Sequence, residues 1–301
     1  MIESIPNFSE GRDLGIVKEI RDAIASVPGV LLLGCESDSD HNRSVITVAG
    51  PAEAIGEGIV RGAIVAAQRI DLSKQTGVHP RIGAADVIPF VPLAGSTMDE
   101  CVTIARRAAR ELWQRAQLPS YFYEFAAEPP KQLEQVRKGG FEALIQSTAG
   151  REPDTGGPGV HPTAGASAIG ARRLLIACNV NLATRDLDLA KRIARKIRAS
   201  SGGFPYVKAL GFDLASRGLV QVSLNLTHHE VSPLHTVYEA IRNEAQQAGV
   251  EVAETELIGF IPQAAAQKAA DFLSRCAAFQ PSRILENRIA ALNVAGERVE
   301  G

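Results

Sequence analysis

Short runs of apolar residues alternate along the chain with longer segments in which apolar positions recur every three or four residues. The short runs predict four strands in the first third of the chain, near 2–5, 28–36, 44–50 and 84–93. The longer segments predict three helices, over 13–26, 52–69 and 97–117. This alternation is typical of an α/β or α+β protein.

The second half of the chain carries a clearer version of the same pattern. It predicts a strand, a helix, two strands, a helix and a strand, over 173–182, 184–199, 206–211, 219–226, 233–248 and 250–257. This β-α-β-β-α-β order is the signature of a ferredoxin-like layer of helices on a sheet. Because the N-terminal part is similar, we expect an α/β fold, an α+β sandwich of two ferredoxin-like subdomains. Each would be a mostly antiparallel or mixed sheet layered with helices, with the ligand cleft between them.

Residues 151–167, between these two halves, are dense in glycine, proline and other turn formers. A loop of that length in a compact protein tends to be functional or to be a linker. We therefore expect the domain boundary shortly after it, with a first domain over 1–174 and a second over 175–301.

Composition narrows the possible partners. The chain has 301 residues, of which 45% are hydrophobic, enough for two domains with cores of their own. Its net charge is -2 and it has no dense run of Lys or Arg, which argues against nucleic acid as a partner. No run of about 18 apolar residues could span a membrane, and the N-terminus has no targeting segment. The expected partners are small molecules.

Several common kinds of site are disfavoured. The four cysteines form no Cys-x-x-Cys pair, so we expect no zinc knuckle or disulfide framework, and a reducing cytoplasm fits this usage. The phosphate-binding loop, the nucleophile elbow and the dinucleotide-binding glycine motif do not occur. Histidines 228, 229 and 235 with Glu230 invite a metal interpretation, but they lack a ligand spacing such as His-Glu-x-x-His. We therefore expect no metal site.

One histidine stands at the entrance to a predicted buried strand. Pro80 disfavours helical geometry at His79, so its imidazole belongs to an extended or turn segment. With an ordinary pKa of about 6.5, a histidine can take up and return a proton at neutral pH. The residues alone leave two interpretations open, a hydrogen-bonded structural histidine and a general acid/base.

Two polar turns follow predicted strands, at 7–12 and 38–43. Such turns either cap strands and hairpins or assemble a site on the rigid sheet. Arginines 12, 43 and 81 could hold planar carboxylates through paired hydrogen bonds. A site for a small anionic molecule is therefore one interpretation of these turns.

Five blocks of the chain have a familiar order. They are residues 5–12, 42–45, 77–90, 152–154 with the glycine-rich stretch that follows, and 170–172 with 179–181. In sequence and order they resemble the glutamate formimidoyltransferase family, and the resemblance extends over essentially the whole chain. It implies transfer of a formimino group between N-formimino-L-glutamate and tetrahydrofolate, in histidine degradation. It also implies a cytoplasmic homodimer of formiminotransferase subdomains without the cyclodeaminase domain, whose reaction is expected in another protein.

The resemblance and the neighbouring polar turns together predict roles for particular residues. His79 matches the catalytic histidine of the family, and Asp40 is the expected carboxylate beside it because of its place in the turn at 38–43. Arg43 and Arg81 would bind the substrate carboxylates, in a catalytic subdomain over 1–174 that is joined to a folate-cleft subdomain over 175–301. The folate-binding stretch would comprise Gly156, Gly157, Pro158, Gly159, Val160, His161, Pro162, Thr163, Ala164 and Gly165. Tetrahydrofolate is then a substrate, and no metal is expected.

Two alternatives stay open at this stage. The chain could be a folate-binding protein without transferase activity, or a related folate-dependent transferase that uses N-formyl-glutamate. The second differs from the first expectation by a single nitrogen or oxygen of the donor, which sequence patterns do not resolve.

Overall fold

The computed structural model describes residues 1–39, 41–75 and 80–297 of the chain. It divides into two compact units, Met1–Arg172 and Arg173–Gly301. Within those described ranges, no helix is long and apolar enough to cross a membrane.

The first unit is a mixed sheet with helices. Its strands are β1 (Ile2–Ser4), β2 (Asn7–Phe8), β3 (Leu31–Asp38), β4 (Arg43–Gly50), β5 (Ala85–Pro92), β6 (Ser120–Glu124) and β7 (Ser167–Ala171). Its helices are α1 (Leu14–Ala25), α2 (Ala52–Arg69), α3 (Met98–Ala116), α4 (Leu133–Val136) and α5 (Gly140–Gln146). The strands form one sheet, in which β1 and β2 both lie between β4 and β5.

The strand order explains why the first unit looked like the second in sequence. From β1 to β5 the elements follow the β-α-β-β-α-β order, and the spatial order β3-β4-β1-β5 is antiparallel and ferredoxin-like. Beyond β5, strands β7 and β6 extend the sheet in parallel. The predicted α+β sandwich is confirmed, and the parallel extension is a feature that the apolar pattern did not predict.

Strand and helix lengths explain why that extension was missed. β6 and β7 have five residues each, and α4 and α5 have four and seven. Helices of one or two turns are too short to show a period of 3.6 residues. Their apolar side chains nevertheless form a separate small core with β5 to β7, which includes Ile82, Tyr121, Val136 and Leu144.

The second unit matches its sequence pattern closely. Its main elements are β8 (Ile176–Leu182), α6 (Leu187–Ile197), β9 (Val207–Leu214), β10 (Leu219–Leu226), α7 (Leu234–Gln247) and β11 (Val252–Ile258). The four strands are antiparallel in the order β11-β8-β10-β9, which confirms the predicted ferredoxin-like order. Three further helices follow, α8 (Gln263–Lys268), α9 (Ala270–Ser274) and α10 (Leu285–Glu297).

Helices α1 and α2 of the first unit approach each other closely at a glycine. A Cβ atom at Gly62 would lie 2.4 Å from Cγ1 of Ile24, a side chain that is fully buried. An alanine in an open helical position would stabilise the helix by about 1 kcal/mol relative to glycine. At position 62 the contact with Ile24 should reverse that sign.

We therefore predict that Gly62→Ala lowers the free energy of unfolding by about 1–3 kcal/mol, because the added methyl group overpacks the contact between α1 and α2. Urea denaturation of the variant and the unsubstituted protein measures the difference. A variant as stable as the unsubstituted protein, or more stable, would show that the two helices separate without penalty.

Candidate functional site

Three strand ends of the first unit surround an open depression of about 200 Å³. It is lined by Phe8, Ser9, His41, Asn42, Arg43, Arg81 and Asp86. Phe8 ends β2, Arg43 begins β4 and Asp86 lies near the start of β5. Because β2 pairs with both β4 and β5, the turns next to these strand ends are brought together.

The two side chains predicted to be catalytic, His79 and Asp40, lie outside the described residues. Their neighbours are described. The Asp38 carboxylate accepts the His41 amide at 2.8 Å and contacts Nδ1 of His41 at 2.9 Å. Gln75 precedes the other undescribed stretch, 76–79, and Pro80 follows it.

A buried glutamate, through Gln75, connects two of the sequence blocks, 5–12 and 42–45. Glu10 is 5% exposed, and its Oε1 accepts the amides of Arg12 and Asp13 at 2.8 and 3.0 Å. Its Oε2 accepts Nε2 of Gln75 at 2.6 Å, and Oε1 of Gln75 accepts Nδ2 of Asn42 at 3.0 Å. These bonds satisfy the charge of Glu10 and hold Gln75, the residue before the 76–79 stretch, against both polar turns.

Arg81 bonds back to the chain that precedes residues 76–79. Its Nη2 donates to the carbonyl oxygens of Leu72 and Gln75, at 3.2 and 2.9 Å, and lies 3.2 Å from Oε1 of Glu142. Its buried Nε has no hydrogen-bond partner in the described part of the chain. The guanidinium therefore spans the ends of residues 72–81 and also contributes positive charge to the depression.

Arg43 contributes a second cation to the depression. Burial lowers its pKa to about 10, and nearby Arg137 also lowers it, whereas Asp86 and Asp38 raise it. A pKa of about 10 still leaves the guanidinium charged at neutral pH. A cation that loses hydration is stabilised by nearby anions, which here include Asp86 and Asp38.

Asp86 and Arg137 form a buried ion pair beside these arginines. The Asp86 side chain is 3% exposed and that of Arg137 is 14% exposed. Oδ1 of Asp86 accepts the Ile82 amide at 2.7 Å, and Oδ2 accepts Nη2 of Arg137. Arg137 follows the short helix α4 and is far from the sequence blocks, so no sequence signal pointed to it.

The predicted folate-binding stretch, 156–165, ends in a turn that packs on this region. His161 and Gly165 exchange both backbone hydrogen bonds, at 2.8 and 2.9 Å. The carbonyl oxygen of Thr163 accepts the Leu72 amide, and that of Ala164 accepts the Ala84 amide, each at 2.8 Å. The turn is thus bonded to the chain on both sides of residues 76–79.

Gly165 makes this packing possible. Its φ is +69°, and a Cβ atom there would lie 2.0 Å from the carbonyl oxygen of Ile82. Earlier in the same stretch, Oγ1 of Thr148 donates to the Pro158 carbonyl at 2.7 Å, and Val160 packs against the small core of α4, α5 and β5 to β7. Gly156, Pro158, Gly159 and Pro162 are exposed, and Gly157 is half-buried.

The imidazole of His161 accepts hydrogen bonds from two amides of this turn and so caps it. Its Nδ1 accepts the amides of Ala164 and Thr163, at 3.0 and 3.3 Å. An acceptor Nδ1 requires a neutral ring with its proton on Nε2. Burial also lowers the pKa of His161.

The second unit carries its own polar cluster, around the Asn179–Asn181 block. Nδ2 of Asn181 donates to Glu254 and Glu256 at 2.8 and 2.9 Å, and Nδ2 of Asn179 donates to Glu256 at 2.9 Å. Burial opposes the charge of Glu256, but these amides and Arg217 outweigh it, so its pKa is lowered. The Glu256 carboxylate is therefore charged, and both glutamates are already hydrogen-bonded.

The histidines that invited a metal interpretation include an adjacent pair, His228 and His229, which lies in a turn after β10. Nδ1 of His228 lies 3.0 Å from Oε2 of Glu230, and the His228 ring is 5.0 Å from that of Tyr206. Over residues 1–39, 41–75 and 80–297, no group of three or more His, Cys, Asp or Glu side chains is placed to hold a metal ion.

The fold is that of a two-unit α/β protein, and its first unit has a depression lined by two arginines. The chain belongs to the formiminotransferase family, because the model of the formiminotransferase domain N-terminal subdomain matches residues 1–172 and that of the formiminotransferase domain matches 177–292.

Curated relatives agree with this membership. A "Glutamate formimidoyltransferase" of Thermoplasma acidophilum is 42% identical over 96% of this chain and 97% of its own length. One of Streptococcus pyogenes serotype M1 is 40% identical over 96% of this chain and 98% of its own. The "Formimidoyltransferase-cyclodeaminase" of Rattus norvegicus is 39% identical over 90% of this chain, but this covers only 52% of the rat protein.

We predict that the turn capped by His161 makes the protein less stable in acid. Because the pKa of His161 is lower in the folded state than the ordinary 6.5, the unfolded state binds its proton first as the pH falls. The stabilisation is complete above pH 6.5 and is lost as the pH falls through the folded pKa. Thermal unfolding at pH 7.5 and 5.5 measures it.

The variant His161→Asn is the matched control, because an asparagine oxygen can cap the same amides without titrating. Its unfolding temperature should fall less between the two pH values than that of the unsubstituted protein. His161→Ala, which loses the cap, should be less stable at both pH values. Equal pH dependence in the unsubstituted protein and His161→Asn would contradict the assignment.

Proposed function

We propose that this chain transfers the formimino group of N-formimino-L-glutamate to tetrahydrofolate, yielding 5-formimidoyltetrahydrofolate and L-glutamate in histidine degradation. Family membership and the relatives named glutamate formimidoyltransferase support this. The observation that carries the proposal is that Arg43 and Arg81 line one depression, and Arg81 lies two residues after His79.

In this proposal the two arginines hold the donor. N-formimino-L-glutamate carries two carboxylates, and guanidinium groups bind carboxylates with paired, charge-assisted hydrogen bonds. The position of Arg43 supports its role, because its side chain lines the depression together with Arg81 and stays charged at neutral pH. Arg81 would use donor positions beyond those of Nη2, which already bonds the backbone.

The proposed chemistry is a general acid/base transfer. A nitrogen of tetrahydrofolate attacks the amidine carbon of the protonated formimino group, which gives a tetrahedral intermediate. His79 accepts the proton of the attacking nitrogen and returns it to the departing nitrogen of glutamate, so that the amine leaves neutral. Asp40 orients the imidazole and stabilises its protonated form. A protonated amidine is already electrophilic, so this mechanism uses no metal.

Tetrahydrofolate is assigned to the stretch 156–165. The exposure of Gly156 and Gly159 supports this, because glycine lets a flat ring approach the peptide groups closely. The proposal assigns catalysis to residues 1–174 and the folate cleft to residues 175–301 as well. It includes a homodimer and a cytoplasmic location, which suits four free cysteines.

The first test is an assay of the purified protein with N-formimino-L-glutamate and tetrahydrofolate, following the folate product by absorbance. N-formyl-L-glutamate is run in parallel. Faster turnover of the formyl donor would support the related transferase instead. Folate binding without turnover of either donor would support a binding protein.

We predict that His79→Asn lowers kcat roughly 10²- to 10⁴-fold, the usual contribution of general acid/base catalysis. The Kd of tetrahydrofolate should stay within about twofold, because His79 acts on the proton and not on the pterin. Steady-state kinetics and fluorescence titration give the two values. A His79→Asn enzyme with unimpaired turnover would refute the mechanism.

We predict that Arg43→Lys raises the KM for N-formimino-L-glutamate roughly 10- to 100-fold, since an ammonium cannot reproduce the paired bonds of a guanidinium. The KM for tetrahydrofolate should change little. Arg106→Lys is the matched control, because Arg106 bonds the Ala126 carbonyl outside the depression. An equal rise in the KM of both substrates would argue against a role of Arg43 in donor binding.

A further inference from the structure

The backbone of residues 80–82, which follows His79 and precedes β5, is hydrogen-bonded at three successive residues. The Pro80 carbonyl accepts Nη2 of Arg137, and the Arg81 carbonyl accepts the Phe141 amide at 2.7 Å. The Ile82 amide donates to Oδ1 of Asp86 at 2.7 Å. Hydrogen bonds therefore set the path of the chain directly after His79, before the regular strand pairing of β5 begins.

One guanidinium nitrogen links two of these bonds. Nη2 of Arg137 donates both to the Pro80 carbonyl and to Oδ2 of Asp86. Asp86 in turn binds the Ile82 amide through its other oxygen. Arg137 thereby controls the residue before Arg81 directly and the residue after it through Asp86.

Arg137 is itself held in place. It ends the short helix α4, and its amide donates to the Leu133 carbonyl at 3.0 Å. Arg151 binds the carbonyl oxygens on both sides of it, that of Val136 at 2.9 Å and that of Lys138 at 2.6 Å. With a side chain only 14% exposed, Arg137 has little freedom to move away from Pro80.

We propose that Arg137 is a positioning residue for His79, acting on the Pro80 carbonyl and on Asp86. This inference rests on the proposed function, in which His79 transfers the proton. Arg137 is not among the residues that line the depression, so it acts through the backbone and not on the substrate. Asp86 does line the depression, and its carboxylate accepts a hydrogen bond from the Arg137 guanidinium.

The expected effect is on rate and not on binding. A displacement of a catalytic group by about 1 Å can lower turnover about 10²-fold. Arg137→Lys keeps the charge beside Asp86, so the buried carboxylate is not left unpaired. The lysine side chain ends one bond short of Nη2 and lacks the planar fork, so it cannot hold both acceptors in the same way.

The experiment is a double-mutant cycle with His79→Asn, measured with N-formimino-L-glutamate and tetrahydrofolate. Arg137→Lys alone should lower kcat about 10- to 100-fold with both KM values within twofold. In the His79→Asn background the same substitution should change the residual kcat less than threefold, because the group it positions is gone. Arg106→Lys, an arginine that also bonds a carbonyl and a carboxylate, should leave kcat unchanged.

Two outcomes would overturn the inference. One is an Arg137→Lys enzyme with the turnover of the unsubstituted protein. The other is an equal loss in both backgrounds, which would mean that Arg137 supports the fold and not His79. The proposed function fails separately, when His79→Asn alone retains full turnover or the unsubstituted protein has none.

A folding defect would not leave the inference untested. Unfolding temperatures of all variants are measured, and if Arg137→Lys does not fold, the pair Asp86→Asn with Arg137→Gln replaces it. That pair removes both charges together, so neither remains unpaired in the interior. The same cycle with His79→Asn then applies, with the same expected and contrary results.

Discussion

The site of the first unit depends on one constraint, that charged groups withdrawn from water must find partners. Glu10 and Asp86 are buried and Arg137 is half-buried at the same end of the sheet, and each is hydrogen-bonded to backbone or to an opposite charge. These bonds also determine the paths of the turns, because most of the partners are peptide groups of the loops. The hydrogen bonds of these charged groups therefore determine the conformation of the loops around the depression.

The bonds converge on both flanks of residues 76–79. Before the stretch, Gln75 is bonded by Glu10 and Asn42, and after it Pro80 is bonded by Arg137. Arg81 joins the two ends by binding the carbonyl of Gln75. In the proposed mechanism the rate contribution of His79 depends on its precise position, which these bonds on both flanks would support.

The sequence predicted those elements of this protein whose apolar residues recur at a regular period. In the second unit, the predicted elements were β8 to β11 with α6 and α7. Each of these strands and helices buries one face and so shows a period of two or 3.6 residues. The site was predicted only in part. Arg43 and Arg81 were named, and the structure brings both to one depression, whereas Arg137 and Gln75 were not named. Neither carries a motif, and the partner of Arg137, Asp86, is 51 residues away along the chain.

By itself, the sequence determined the two layers of helix on sheet, the family blocks and the long glycine-rich stretch, all of which are local properties of composition and periodicity. Only the tertiary structure decided which distant side chains meet. The position of β2 between β4 and β5 brings the two polar turns to the start of β5. The parallel addition of β7 and β6 places α4 with Arg137 beside Asp86. Such pairings depend on strand order and on the hydrogen-bonding demand of buried charge, and neither is a property of any short segment.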